Sequence, residues 1–216
     1  MSAVVPTKPK LRGWFHEVGF FVSLPAGIAL MLLARDAGSR ITVLVYGVSL
    51  TAVFGASAAY HRVAWSVAAL RRMKRLDHSM IFVLIAGTYT PVCALVLRAP
   101  WSIVLLSVVW AGAAVGIVLQ ISRIDRLSVL SGTLYVVLGW LAVLALPQLV
   151  RALPRPAAIL MLTGGILYTI GAVVLARRRP DPAPAVFGYH EVWHAFMVAA
   201  AACHYAMILL ILRAAG

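Results

Sequence analysis

Two histidines near the end of the chain are spaced so that both can bind one metal ion. The stretch HEVWH, residues 190–194, places His190 and His194 four positions apart, which brings both imidazoles to one face of a helix. The same spacing joins Ser57 to His61 in the stretch SAAYH. Histidine pairs at this spacing are typical of zinc sites, and H-E-x-x-H in particular is typical of zinc proteases. The sequence therefore indicates metal binding, and metal-dependent hydrolysis, as the first candidate functions of these residues.

The composition indicates that helices in a membrane must position these residues. Of 216 residues, 63% are hydrophobic and 12% are charged, whereas soluble domains are about 45–50% apolar and about 25% charged. A membrane-spanning helix needs about 20 mostly apolar residues. Seven runs satisfy this length: 14–34, 41–61, 77–97, 101–121, 128–148, 157–176 and 187–211. The sequence therefore predicts an all-α membrane protein, a bundle of seven transmembrane helices.

The seven runs account for most of the chain and define its domains. Residues 1–13 form a basic N-terminal tail, and residues 14–216 form a single transmembrane domain whose short connections leave no room for a soluble domain. The first run lacks a small-residue cleavage site and is longer than the apolar core of a signal peptide. We therefore expect it to be a true membrane span.

The net charge of +13 follows the predicted loops. Lys and Arg alternate in number along the chain, so that one side of the membrane receives 13 of them and the other receives 6. The positive-inside rule then predicts a cytoplasmic N-terminus and an external C-terminus. We expect a multi-pass protein of the cell inner (plasma) membrane, whose basic face contacts anionic lipid headgroups. Nucleic-acid binding is not expected.

This topology brings four ionisable residues to the cytoplasmic end of the bundle. His61 closes the second span, Asp77 opens the third, and His190 and His194 open the seventh. An ionisable group within a span marks a candidate functional site. A catalytic zinc takes three protein ligands and keeps a fourth position for water. The three histidines supply such ligands, and Asp77 supplies a carboxylate that could orient or deprotonate the water.

A zinc protease does not fit the remainder of the chain. A protease of the H-E-x-x-H type takes its third ligand from further along the sequence, and no Asp or Glu follows Glu191. His204 lies ten residues beyond His194 on the same helix, which places it about 15 Å deeper in the membrane. We therefore interpret Glu191 as an incidental occupant of its position or as a partner of an imidazole N–H.

Several other polar residues have simple structural interpretations. His16 and His78 are expected to form hydrogen bonds near the membrane interface, and His204 to form one in the bundle interior. Gly87 and Pro91 belong to the stretch IAGTYTP, where small residues and proline favour close helix packing and kinking within a span.

Three segments resemble the signature segments of the bacterial hemolysin III family: SAAYH, LDHSMIFVLIAGTYTP and GYHEVWHAFMVAAAACHY. This family is related to the adiponectin and progestin receptors and more distantly to alkaline ceramidases, and the resemblance extends over nearly the whole chain. It implies a seven-helix bundle with a cytoplasmic N-terminus. It also implies that zinc is bound by the three histidines already named, that Ser57 lies near them, and that Asp77 contacts the zinc-bound water.

Three hypotheses for function follow. In the first, the protein is a zinc-dependent lipid amidohydrolase or esterase, in which Asp77 acts on the water and Ser57 helps to hold the developing oxyanion. In the second, zinc is structural in a lipid-responsive receptor or membrane-homeostasis factor. The third is a cytolytic pore, which rests on the family name alone. Iron or manganese would also accept histidine and carboxylate ligands.

Overall fold

The computed structural model of the chain describes residues 8–122 and 128–214. Within these residues the chain forms eight α-helices: α1 Trp14–Leu33, α2 Ala37–Arg62, α3 Val67–Leu95, α4 Trp101–Ile121, α5 Ser128–Trp140, α6 Leu146–Ala152, α7 Arg155–Arg177 and α8 Tyr189–Ala214. A 3₁₀ segment, Leu141–Ala145, joins α5 to α6, and this composite contains the fifth span, Leu130–Ala152. Seven spans are long and apolar enough to cross a membrane, so the prediction of a seven-helix all-α bundle is confirmed.

The third helix begins ten residues before the predicted span at residue 77. Ser66 caps it by accepting a hydrogen bond from the backbone N–H of Ala69 at 3.3 Å. The sequence that follows, VAALRRMKRL, is rich in strong helix formers. The helix therefore extends beyond its apolar run and carries four cations that the predicted boundary left between spans: Arg71, Arg72, Lys74 and Arg75.

The helices pack in a ring. Helix α1 packs on α2, α2 on α3, α3 on α4 and α7 on α8, and α8 returns to contact both α1 and α3. At the contact between α2 and α3, a Cβ atom added to Gly87 would collide with the side chain of Ser49. The interpretation of Gly87 as a packing glycine is therefore confirmed, because only a residue without a side chain permits this approach.

The outer surface of the bundle is apolar. Large side chains such as Leu32, Phe21 and Ile103 are more than 60% exposed, which a soluble protein would avoid over so many positions. Tyr46 and Phe82 are fully buried in the core. This distribution, apolar both inside and outside, is that of a protein surrounded by lipid.

The break in the fifth span is stabilised by Tyr89 of α3. Its hydroxyl donates a hydrogen bond to the carbonyl of Gly139 at 3.0 Å and accepts one from the backbone N–H of Ala142 at 2.7 Å. Backbone groups freed by an interrupted helix need partners inside a membrane. Tyr89 supplies them where α5 gives way to the 3₁₀ segment.

One end of the bundle gathers the residues of interest, and we call it the histidine end. Here α1 and α8 begin and α2 and α7 end. Among the described residues, the histidine and carboxylate side chains of residues that are at most 5% exposed all lie at this end: His16, His61, Asp77, Glu191 and His194.

Candidate metal centre

Three histidines from two helices converge at the histidine end. His61 lies in the last turn of α2, and His190 and His194 lie in the first two turns of α8. One ring nitrogen of each lies within 4.8 Å of the others, and the Nε2 atoms of His61 and His190 are 3.2 Å apart. Zinc–nitrogen bonds of about 2.0–2.1 Å at a tetrahedral site require ligand nitrogens a little over 3 Å apart. The structure thus brings together the three residues predicted as ligands.

The hydrogen bonding of His194 supports the fit of a metal ion. This side chain is fully buried, and neither Nδ1 nor Nε2 has a hydrogen-bond partner. Buried polar atoms normally have a partner, and an exception requires an explanation such as an ion. A cation held by the three rings would satisfy one of these nitrogens. The donor set of three neutral imidazoles is one that zinc accepts.

A carboxyl group and a hydroxyl lie beside the three histidines. Asp77 of α3 is buried, and its Oδ2 atom is 4.0 Å from Nε2 of His61 and 3.7 Å from Nδ1 of His78. Ser57, one turn before His61 on α2, is also buried and interacts with the Asp77 carboxyl group. Its hydroxyl makes no hydrogen bond of ordinary geometry. Both groups are therefore available to a polar molecule beside the histidines.

His16 of α1 belongs to the surroundings of this cluster. The expectation that it forms an interfacial hydrogen bond is wrong, because the residue is buried and neither ring nitrogen has a partner. Its ring stacks on that of His194, with centroids 3.8 Å apart and planes inclined by 13°. Its position in the first turn of the first span, at the end that holds the other histidines, was the available signal in the sequence.

The two remaining histidines behave as expected. His78 donates a hydrogen bond from Nδ1 to the carbonyl of Lys74 at 2.7 Å. His204 donates one from Nε2 to the carbonyl of Met161 at 3.3 Å. Neither belongs to the cluster of three ligand atoms.

Glu191, the acidic residue of the H-E-x-x-H stretch, is not incidental. It is fully buried, and its Oε2 atom accepts a hydrogen bond from the backbone N–H of Gly188 at 2.8 Å. This is the contact that a glutamate at the third helical position makes in a capping box. Its Oε1 atom forms an ion pair with Nε of Arg12. Glu191 therefore fixes the first turn of α8, which carries His190.

Residues Lys8–Gly13, which we call the N-terminal segment, lie across the histidine end. The backbone N–H groups of Lys10 and Leu11 donate hydrogen bonds of 3.1 Å to the carbonyls of Ala185 and Val186. The segment is thereby tied to the connection between α7 and α8.

The N-terminal segment passes directly over His61. The ammonium of Lys8 donates a hydrogen bond to the carbonyl of His61. Gly13 has a φ of 82°, and a Cβ atom there would lie 2.6 Å from Cβ of His61. Glu17 and Arg62 form an ion pair of 2.8 Å beside this crossing. The segment therefore covers the three candidate metal ligands from the end of the bundle.

Fold and site together define a seven-helix membrane protein with three histidines gathered at one end. The sequence matches the family described as Haemolysin-III related over residues 5–205. It is 31% identical over 197 residues to a hemolysin-3 homolog of Bacillus subtilis (strain 168), covering 90% of this chain and 89% of that one. It is 34% identical over 198 residues to hemolysin-3 of Bacillus cereus, covering 90% and 87%.

A human protein is also similar. The monocyte to macrophage differentiation factor of Homo sapiens is 28% identical over 194 residues, which cover 86% of this chain and 77% of the human protein. The chain belongs to the haemolysin-III related family, and the resemblance of its three segments to that family is confirmed.

Proposed function

We propose that this protein is a zinc-dependent hydrolase of an amide or ester bond in a membrane lipid. One observation carries the proposal: three imidazoles and a carboxyl group meet in one buried site. The ligand atoms of the three histidines lie within 4.8 Å of one another, and the carboxyl group of Asp77 lies 4.0 Å from His61. Three ligands with an adjacent proton acceptor are the usual components of a hydrolytic zinc centre.

The zinc ion would be held by His61, His190 and His194. Among the described residues the ligand cluster contains no fourth His, Cys, Asp or Glu, which favours a catalytic site with an open position over a closed structural site. Bound there, zinc supplies a Lewis acid and an activated water at neutral pH.

The side chains beside the histidines supply the proton transfers. A carboxylate oxygen of Asp77 accepts a proton from the attacking water as the water oxygen bonds to the carbonyl carbon of the lipid. The hydroxyl of Ser57 donates a hydrogen bond to the carbonyl oxygen as it gains negative charge. The bond to the leaving amine or alcohol then breaks, and Asp77 returns the proton to that group.

A lipid substrate suits the surroundings of the centre. The N-terminal segment covers the site from the end of the bundle, and the outer surface of the helices is apolar. A substrate dissolved in the bilayer reaches the site laterally, between helices. We place the histidine end at the cytoplasmic face of the cell inner membrane, on the grounds that 13 of the 19 Lys and Arg residues fall on that side.

A second candidate is a non-enzymatic, lipid-responsive receptor with structural zinc. The complete burial of His194 is the observation that favours it, because structural sites are closed to solvent. A cytolytic pore is not proposed. The buried histidine and carboxylate side chains of the described residues gather at one end instead of following a path across the membrane.

A turnover assay tests the proposal. Zinc-loaded protein in detergent is incubated with a total lipid extract, and released fatty acid is measured by mass spectrometry. We expect release by the wild type, loss of release in His61→Ala, and loss after chelation that added zinc reverses. Glu17→Gln is the matched control, since this residue lies at the same end but outside the cluster and is partly exposed. Absence of release from zinc-loaded wild type would refute hydrolysis.

A further inference from the structure

A second feature of the bundle is a partly open cavity of about 1100 Å³ lined by α3, α4, α5, α7 and α8. This volume is slightly above the range of about 300–1,000 Å³ that small-molecule sites usually occupy. None of the three candidate zinc ligands lines it. Trp193 forms part of the wall, and its ring centroid lies 4.9 Å from those of both His190 and His194. The cavity is therefore adjacent to the metal centre but distinct from it.

One end of the cavity is cationic. Arg71, Lys74, Arg75 and His78 all line it, and their i, i+3, i+4, i+7 spacing places them on one face of α3. Arg71 and Lys74 are exposed and Arg75 is half-buried. None of the described lining residues is acidic. An anion at this end would thus meet three cations and, among the described lining residues, no carboxylate.

The cavity becomes apolar further along the helix. Its lining continues on α3 from Arg75 to Tyr89, a rise of about 21 Å, through Ile81, Leu84 and Ile85. The hydroxyl of Tyr135 already accepts a hydrogen bond from Gln120 and donates one to the carbonyl of His78. The hydroxyl of Tyr135 and the amide of Gln120 therefore need no partner from a ligand. His204, which also lines the cavity, leaves Nδ1 without a partner, but the lining is mainly apolar, so this part of the cavity suits an apolar chain.

We propose that the cavity binds an anionic phospholipid, with an acyl chain in the apolar part and the phosphate group beside Arg71, Lys74 and Arg75. Guanidinium groups bind phosphate through paired, charge-assisted hydrogen bonds. A zwitterionic phospholipid of the same chain length fills the same space but carries no net charge to match these cations. The binding requires no turnover at the histidines, so it stands whether or not the proposed hydrolysis is correct.

The alternative explanation of these cations is general attraction of the basic end of the bundle to an anionic membrane surface. Arg72 distinguishes the two. It is an exposed cation on the same turn of α3, but it does not line the cavity. General attraction would depend equally on Arg72 and Arg71, whereas a bound phospholipid would depend on Arg71 and not on Arg72.

Tryptophan fluorescence measures occupancy of the cavity directly. Two of the six tryptophans, Trp140 and Trp193, line it. The other four are replaced by Phe to remove the fluorescence of tryptophans outside the cavity. The protein in neutral detergent is titrated with phosphatidylglycerol carrying dibrominated acyl chains, which quench nearby indoles. The matched probes are dibrominated phosphatidylcholine and dibrominated stearic acid.

We expect saturable quenching by phosphatidylglycerol and at least tenfold weaker binding of phosphatidylcholine. Replacing Arg71, Lys74 and Arg75 with Ala should weaken phosphatidylglycerol binding about fivefold for each cation and roughly 100-fold together, on the scale of about 1 kcal/mol per cation near an anionic headgroup. Arg72→Ala should change it less than twofold. His61→Ala should leave it unchanged, which separates this proposal from that of the metal centre.

A second pair of variants tests the acyl-chain part of the cavity. Gly132 and Gly139 line it, and a Cβ atom added to either meets nothing within 4 Å. A methyl group therefore fits at either position, so Gly132→Ala should fold and bind normally. Gly139→Phe extends a larger side chain into the space for the acyl chain and should abolish quenching, with its folding checked by thermal unfolding.

The proposal is overturned by any of four results, of which three concern phosphatidylglycerol binding and its variants. These three are equal affinity for phosphatidylcholine, equal weakening by Arg72→Ala and Arg71→Ala, or undiminished binding in a folded Gly139→Phe variant. Saturable binding of stearic acid without binding of phosphatidylglycerol would also overturn it, because the occupant would then be a free fatty acid.

Discussion

Arg12 and Glu191 form an ion pair that joins the N-terminal segment to the first turn of α8. The glutamate side chain is fully buried, whereas that of the arginine is 20% exposed. The same glutamate caps α8 through the N–H of Gly188. The pair therefore holds in place both the segment that covers the candidate metal ligands and the helix turn that carries His190.

Replacing Arg12 alone should destabilise the protein more than replacing both Arg12 and Glu191 with neutral residues. Arg12→Ala leaves the Glu191 carboxylate buried without its partner, a change that costs about 3–5 kcal/mol at fully buried pairs. We expect about 3 kcal/mol here, because Arg12 is partly exposed. In the double variant Arg12→Met, Glu191→Gln the amide oxygen can still cap Gly188 and no charge is left buried. Thermal unfolding in detergent should rank the double variant above the single one, and the opposite order would contradict this account.

Purified protein should carry about one zinc per chain. His61→Ala or His190→Ala should remove most of it, because two imidazoles cannot complete a site that takes three protein ligands. Elemental analysis by mass spectrometry provides the measurement.

The matched control for zinc content is His204→Gln. It replaces a histidine outside the cluster while keeping a side-chain donor for the carbonyl of Met161. It should retain zinc at the wild-type level. Wild-type zinc in both His61→Ala and His190→Ala would exclude the site.

The sequence was sufficient to predict the seven spans, because the thickness of the bilayer imposes a length that apolar runs reveal. Two features of the fold could not be predicted from the sequence. The apolar run of α3 begins after Arg75, but residues with high helix propensity continue back to the cap at Ser66. The N-terminal boundary of α3 is therefore set by helix propensity and not by the start of the apolar run. The 3₁₀ break of the fifth span depends on the hydroxyl of Tyr89, which is 53 residues from Ala142 in the chain.

The candidate ligands were predictable because their spacing and depth are local properties of two helices. The stacking of His16 on His194 was not, since it depends on how α1 packs against α8. The ion pair of Arg12 with Glu191 likewise joins residues 179 positions apart. The cap of α8 was only half visible in the sequence: a capping box pairs Ser or Thr at the N-cap with Glu three residues later, whereas the N-cap here is Gly188 and only the glutamate half of the pattern is present.

His16 should act through the stacking of its ring and not as a ligand. His16→Phe keeps an aromatic ring against His194 and removes two buried nitrogens that lack partners, so zinc content and stability should be retained. His16→Ala should leave a hole and cost roughly 2–4 kcal/mol, as large-to-small changes in cores do. Zinc content and thermal unfolding of both variants check this, and loss of zinc in His16→Phe would instead make His16 a ligand.

The distribution of Lys and Arg, 13 against 6, predicts the orientation of the bundle. A reporter fused before Met1 should be active only in the cytoplasm, and one fused after Gly216 only outside it. The reverse result would move the metal centre to the other leaflet. It would also remove the argument that the substrate comes from the cytoplasmic leaflet.

The variant Asp77→Asn distinguishes a catalytic role of zinc from a structural one. The amide is nearly isosteric with the carboxyl group, and the three histidines are unchanged, so metal content and thermal unfolding should match the wild type. The carboxylate that accepts the proton is lost, however, and removal of such a group typically lowers the rate about 10²- to 10⁴-fold.

If zinc is only structural, Asp77→Asn should leave cellular function nearly intact, whereas His194→Ala should both release zinc and lower the unfolding temperature. The comparison of these two variants therefore decides between the candidates, since the hydrolase requires a loss of rate without a loss of zinc. A third pattern, in which Asp77→Asn loses zinc as readily as His194→Ala, would count against both. Asp77 lies only 4.0 Å from Nε2 of His61, and this pattern would make it a direct ligand that fills the position reserved for water.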